Sequence, residues 1–296
     1  MKMRLLQRIE EYTVNQNQTK RSIAEFILEH KLDIHKYSIN QLAEKTFSSK
    51  SALVRFGKSL GFSGWKDFLN HLIEEIHYEQ THYSQIDPNI PFSNRDSYQE
   101  IISNIATIQM ESIQDTADKM DFDCLKNAID MLSTARRIVL LGVSPNNLLG
   151  ELFRRKMAAI GKSVEVIQSG EIGLTASGLT KADTAIIISY SGNDVAREPM
   201  KFIPQMKQQG VHLIGLTSEG GGYIMREIDT VLTISSRERL YKKISNFSTE
   251  ESILFLLNSL YAGVFSKNYL KNYNFKVQNS MNLEETRISH QTDIKE

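Results

Sequence analysis

Along the first eighty residues the apolar positions recur every three or four places. From Thr19 to His30, Ile23, Phe26 and Ile27 share a face while Lys20, Arg21, Glu25 and Glu29 lie elsewhere, which is the period of an amphipathic helix. Ser38, followed three residues later by Gln41, has the form of a capping box and opens a short helix over 39–45. Ser49 is a good N-cap for a helix over 50–60, which Gly61 closes because glycine enters the left-handed region freely. Ser63 caps a fourth helix over 64–78. The stretch 79–96 is polar, contains Pro88 and Pro91 and has no apolar period, so it reads as a linker. A second capping box, Ser97 with Glu100, opens a helix in which Tyr98, Ile101, Ile102, Ile105, Ile108 and Ile113 mostly step by three or four.

From Arg137 the pattern changes to short β-rich runs at 138–141, 164–167, 184–189, 211–216 and 230–234. Helical stretches near 147–160, 171–178, 194–208 and 222–227 lie between them. A mostly apolar helix follows over 249–265. Strands joined by crossovers imply a doubly wound, mostly parallel sheet with helices on both faces. The expected architecture is α/β: an all-α helix-turn-helix domain at 1–80, a linker at 81–96, an α/β domain at 97–270 and a polar C-terminal tail at 271–296. A chain of 296 residues is long enough for two cores.

Net charge is zero, so charge distribution matters more than its sum. Residues 45–66 carry Lys45, Lys50, Arg55, Lys58 and Lys66 and no Asp or Glu, which gives one basic face. No apolar run reaches the ~20 residues of a membrane span, and the start of the chain lacks a signal-peptide core, so a cytoplasmic protein with no membrane partner is expected. Cys124 stands alone between Phe122 and Leu125 and reads as a packed thiol. The histidines are scattered and no CxxC or HxxxH occurs, so neither a metal nor another cofactor is expected.

Two short helices joined by a tight turn, the second rich in basic and small polar residues, are the parts of a helix-turn-helix. On the second, Leu53, Phe56 and Leu60 form a packing face, and Ser51, Arg55 and Lys58 form another that is free to meet DNA. A recognition helix enters the major groove by its N-terminal half, which puts Lys50, Ser51 and Arg55 toward base edges and Ser49, Lys58 and Lys66 toward phosphates. The run QLAEKTFSSKSALVRFGKSLGFSGWKDF resembles the N-terminal domain of the RpiR/MurR family of bacterial regulators, matching it from Leu42-Ala43-Glu44 through Arg55-Phe56 to Asp67-Phe68. Phe47 stands where that family has a turn glycine, and Ala52 where it has threonine.

Ligands of open α/β sheets bind beyond the carboxyl ends of the strands. Two loops there carry small and polar residues: 141–147 after the first strand, with Ser144, Asn146 and Asn147, and 189–194 after the third, with Ser189, Ser191, Gly192, Asn193 and Asp194. Each is expected to lead straight into a helix whose amides attract anions. The second loop resembles the S.SG.T signature of sugar isomerase (SIS) domains, as does the chain from Leu125 to Phe265. That resemblance implies binding of a sugar-derived, often phosphorylated, effector by residues including Ser189, Ser191 and Gly192, with Ser248 and Thr249 at the polar start of the last helix closing the pocket. Asp194 replaces the signature threonine. A carboxylate repels a phosphate dianion, which points to a ligand carrying fewer negative charges.

An aldose-ketose isomerase is the alternative function, with His212, Glu171, Glu250 and Glu251 as candidate bases; His212, inside an apolar run, reads as a core histidine. A DNA-binding protein with a ligand-free SIS dimerisation domain is another. The expected function is a non-enzymatic transcription regulator of carbohydrate genes. Its partners are double-stranded operator DNA of palindromic form, a sugar or phosphosugar effector, and further copies of itself as a homodimer or dimer of dimers.

Overall fold

The computed structural model describes residues 5–14, 17–219 and 222–284. Five helices form the N-terminal module: α1 (Leu5–Glu11), α2 (Gln18–Glu29), α3 (Ile39–Lys45), α4 (Lys50–Ser59) and α5 (Trp65–His82). Their apolar faces meet in one core built from Ile9, Ile23, Ile27, Leu42, Leu53, Phe56, Phe68 and Leu72. The capping box of Ser38 and Gln41 is formed, and the Ser49 hydroxyl accepts the Ala52 amide at 3.1 Å. Ser63 is not the cap of α5, which begins after Gly64; Ser63 instead donates its amide and hydroxyl to the Asp67 carboxylate. The α3–α4 turn holds Phe47 at φ 49°, in the region that suits glycine, with its side chain 94% exposed.

The second module opens with α6 (Tyr98–Asp118) and α7 (Phe122–Thr134). It continues as β1 (Arg137–Gly142), α8 (Asn146–Ala158), β2 (Val164–Ile167), α9 (Ile172–Ser177), β3 (Asp183–Ile188), α10 (Ile203–Gln208), β4 (His212–Ser218), α11 (Gly222–Glu227) and β5 (Thr230–Ile234). It closes with α12 (Phe247–Lys267) and α13 (Tyr269–Glu284). All five strands are parallel, in the order β2-β1-β3-β4-β5. Side-chain alternation sorts them onto two cores. Ile138, Leu140, Ile186 and Leu216 pack with α7, α8 and α12, while Val139, Leu141, Ala185 and Ile187 pack with α9, α10 and α11. Because the chain winds outward in both directions from β1 and β3, their carboxyl ends flank the switch point of the sheet.

Three further expectations change. The segment expected as an interdomain linker is fastened to the α/β module: Pro88, Asn89 and Pro91 are buried, and the Asn89 side chain and carbonyl accept the amides of Arg239 (2.6 Å) and Ile244 (2.9 Å). Asn89 is polar because it bonds another part of the chain, while Gln85, Asp87, Ser93, Asn94 and Arg95 stay exposed. The helix expected over 194–208 begins only at Ile203, after an irregular run to Pro199 and a short 3-10 turn at Met200–Phe202. A proline removes one backbone donor and disfavours helix in the residue before it. The expected polar tail at 271–296 is helical through Glu284, with Phe275 against Gly161, and 285–296 lie outside the described residues. No helix among the described residues is long and apolar enough to cross a membrane.

Candidate functional site

On the N-terminal module, Ser49, Lys50, Ser51, Arg55, Lys58 and Lys66 are all exposed. Leu53 and Phe56 are fully buried on the opposite side of α4, so the helix divides as its sequence period requires. The absence of acidic residues from 45–66 leaves this face with five cations.

Beyond the carboxyl ends of β1 and β3 lies a cavity of about 460 Å³. Asn146 reaches it from the first loop, and its amide donates to the Ile188 carbonyl at 3.4 Å, tying the loop after β1 to the end of β3. Ser189, Ser191, Asn193 and Asp194 line it from the second loop. Gly192, at φ 58°, makes the turn: its amide donates to the Ser189 hydroxyl at 3.2 Å and its carbonyl accepts the Ile224 amide. Asp194 accepts the Ala196 amide at 3.1 Å and pairs with Arg197 at 3.2 Å, so its charge is offset by a neighbouring cation. With no helix starting at 194, the loop presents turn amides and side chains in place of a helix N-terminus.

Other expected residues are elsewhere. Ser144 is exposed beside the cavity, while Asn147 is buried behind it, donating to Gln168 at 3.2 Å with its own carbonyl oxygen left without a hydrogen bond. Ser248 and Thr249 do not close the pocket. Both are buried, and their amides and hydroxyls all donate to the fully buried Glu238 carboxylate, which thereby takes the anion position at the start of α12. Lys243 stands 3.8 Å from the same carboxylate. A carboxylate ten residues upstream competes with any ligand for these donors, a substitution that the Ser-Thr pair alone did not reveal.

His212 is exposed at the first position of β4, the end of the sheet away from the cavity, so it is neither a core residue nor a base for chemistry there. Glu171, Glu250 and Glu251 do not line the cavity either. Among the described residues, no three His, Cys, Asp or Glu side chains come together as a metal site would require.

Residues that sequence reasoning missed come from a distance. Glu11 and Val14, Arg197 and Glu198, and Leu240 and Tyr241 complete the cavity wall. The Glu11 carboxylate accepts from Asn193 Nδ2 at 2.7 Å, and the Glu10 carboxylate accepts the Leu240 amide at 2.9 Å. Burial pushes both carboxyls above the usual carboxylate range, against the lowering effect of these hydrogen bonds. Leu5, Leu6 and Ile9, spaced as one helical face, were the available sign of α1.

Comparison with known proteins divides the chain in the same way. Residues 3–79 match the helix-turn-helix domain of the rpiR family, and residues 131–262 match the SIS domain. A helix-turn-helix-type transcriptional regulator of Clostridium perfringens is 23% identical over 265 residues, spanning 90% of this chain and 93% of the relative. One from Bacillus subtilis is 24% identical, covering 85% and 87%. Among solved structures, Vibrio vulnificus NanR, complexed with ManNAc-6P, superposes with a TM-score of 0.57 at 20% identity over 96% of this chain and all of that one. The sugar isomerase domain of an RpiR transcription factor from Sphaerobacter thermophilus gives 0.53 at 16% identity, over 62% of this chain and 99% of its own. These superpositions speak to the fold.

Proposed function

The chain belongs to the rpiR family of helix-turn-helix transcription regulators that carry a SIS domain, and from that premise we propose that it binds operator DNA through α4 and senses a sugar-derived effector in the cavity at the β1/β3 switch point. The observation that carries the sensing half is the cavity itself. It opens where α/β sheets place their ligands, and Asn146, Ser189, Ser191 and Asn193 offer it side-chain donors and acceptors suited to hydroxyls and phosphate oxygens. The volume, about 460 Å³, falls within the range of small-molecule sites. Relatives named as regulators, and a relative solved with a phosphorylated amino sugar, support reading the ligand as a signal and not as a substrate.

On the DNA side, Lys50, Ser51 and Arg55 face base edges and Ser49, Lys58 and Lys66 face phosphates. A homodimer or dimer of dimers on a palindromic operator fits the need of one small module for paired half-sites, and operator binding calls for a cytoplasmic protein. Residues 1–80 act as the DNA-binding unit and 97–270 as the sensor. A thermal-shift screen against sugars, amino sugars and their phosphates tests the sensing half. One compound class is expected to raise the melting temperature with concentration, since a ligand bound to the native state stabilises it by mass action. A flat response across all three classes would rule it out.

A further inference from the structure

The bond between Glu11 and Asn193 joins residues 182 positions apart and brings the DNA-binding module into the wall of the effector cavity. Of the described lining residues, Glu11, Asp194 and Glu198 are acidic and Arg197 is the lone cation, already paired with Asp194. Glu198 is held by the Gly170 amide at 2.9 Å and the Ser169 hydroxyl at 3.1 Å. Glu11 differs from the other two because it is carried by a helix of the other module. On its far side α1 braces the C-terminal end of α4, where Arg8 donates to the Leu60 carbonyl at 2.5 Å and Tyr12, just past α1, bonds Ser59 Oγ at 3.1 Å. Beyond its seat in the helical core through Leu5 and Ile9 and the Glu10–Leu240 bond, α1 therefore links the effector loop to the end of the DNA-facing helix.

We propose that Glu11 is a residue of the effector site and that a phosphomonoester bound at the 189–194 loop displaces it. This rests on the reading of the cavity as the effector site. A phosphate brought to Ser191 and Asn193 meets the Glu11 carboxylate as a like charge in a partly desolvated space, and both compete for one side-chain amide. A neutral sugar meets no such conflict, because its hydroxyls donate to Glu11 and leave α1 in place. The phosphate group, more than the sugar ring, is then what separates α1 from the loop, and the braces on Leu60 and Ser59 move with it.

Phosphorus NMR titration of the full chain with inorganic phosphate tests this on wild type, Glu11→Gln and Ser191→Ala, with circular dichroism to confirm folding. Glu11→Gln is expected to bind phosphate about tenfold more tightly than wild type, the scale of one close like-charge contact screened by partial exposure. Glu11→Ser, which removes the same charge with a shorter side chain, is expected to behave alike. Ser191→Ala is expected to weaken binding, and in wild type saturating phosphate is expected to speed deuterium exchange of the amides of α1. Equal affinity in wild type and both Glu11 variants, with loss in Ser191→Ala, overturns the role of Glu11 and leaves the site standing. Binding indifferent to Ser191→Ala, or absent from all variants, overturns both.

Discussion

The residues proposed to meet DNA fall between Ser49 and Lys66, within one helix and its two flanks, whereas the cavity draws its wall from positions as distant as Glu11 and Tyr241. The first surface is a product of local periodicity. Once Leu53 and Phe56 are buried, Ser51, Arg55 and Lys58 have nowhere to go but outward. The second exists only after β1 and β3 are adjacent and α1 has docked on the loop after β3. A surface of the first kind tolerates change elsewhere in the chain; one of the second kind depends on contacts that are far apart in sequence.

The largest expected effect tests that dependence. Glu238 accepts four hydrogen bonds from Ser248 and Thr249 and faces Lys243, all in a buried setting. Glu238→Ala strands those donors and the lysine, at a cost of about 3–5 kcal/mol to the α/β module. Denaturant unfolding should show the loss in that module, while the helical module, whose core shares none of these residues, keeps its transition. Simultaneous loss of both would mean that the modules are one cooperative unit. Next in size, Arg55→Ala should weaken operator binding by about 10- to 100-fold, the range for one charged contact, without changing the melting temperature. Mobility-shift titration beside circular dichroism checks it, and unchanged affinity would move the DNA face away from this side of α4.

The same division governs what could be read in the sequence. The caps at Ser38, Ser49 and Ser97, the spans of α2, α3 and α4, all five strands and the exposed face of α4 follow from spacing within about ten residues and lie within two residues of where that spacing puts them. Partnership is what spacing does not carry. Ser248 and Thr249 look like ligand donors until Glu238 is found against them, 88–91 looks like tether until Asn89 is found bonded to Arg239, and 194–199 looks helical until the loop must turn back over the cavity. The helix α1 is not among the elements anticipated, although Leu5, Leu6 and Ile9 share a helical face, and nothing near Glu11 announces Asn193.

A smaller effect sharpens the local side of the comparison. Phe47 sits at φ 49° with its ring 94% exposed, so the fold gains no burial in return for a left-handed backbone costing about 1–2 kcal/mol. Glycine there relieves the strain but raises the entropy of the unfolded chain by about 0.4–1 kcal/mol. Phe47→Gly should therefore stabilise the N-terminal module by roughly 0.5–1 kcal/mol, the difference between those two terms, as read by its unfolding midpoint. Affinity for operator should stay the same; a drop would reveal that the exposed ring touches DNA.

The smallest effect probes the joint between the two surfaces. Glu10 and Glu11 both have carboxyls raised by burial where α1 meets the α/β module, Glu10 beside Arg239 and Lys243, Glu11 beside Asn193 and Arg8. A carboxyl raised on docking binds its proton more tightly docked than free, so docking is favoured below the ordinary carboxylate range and that advantage is lost as pH rises through the raised values. Burial pushes Lys243 down, which acts in the opposite direction on the same joint, so the readout must be α1 and not global stability. Hydrogen exchange of the α1 amides, corrected for intrinsic rates, should be slower at mildly acidic than at neutral pH. Glu11→Gln should flatten that dependence in part, since Glu10 still titrates, and the double variant with Glu10→Gln should abolish it. Exchange in α1 that ignores pH in wild type would show that these carboxylates keep their water when the helix is seated, and that the joint is looser than the Asn193 and Leu240 hydrogen bonds imply.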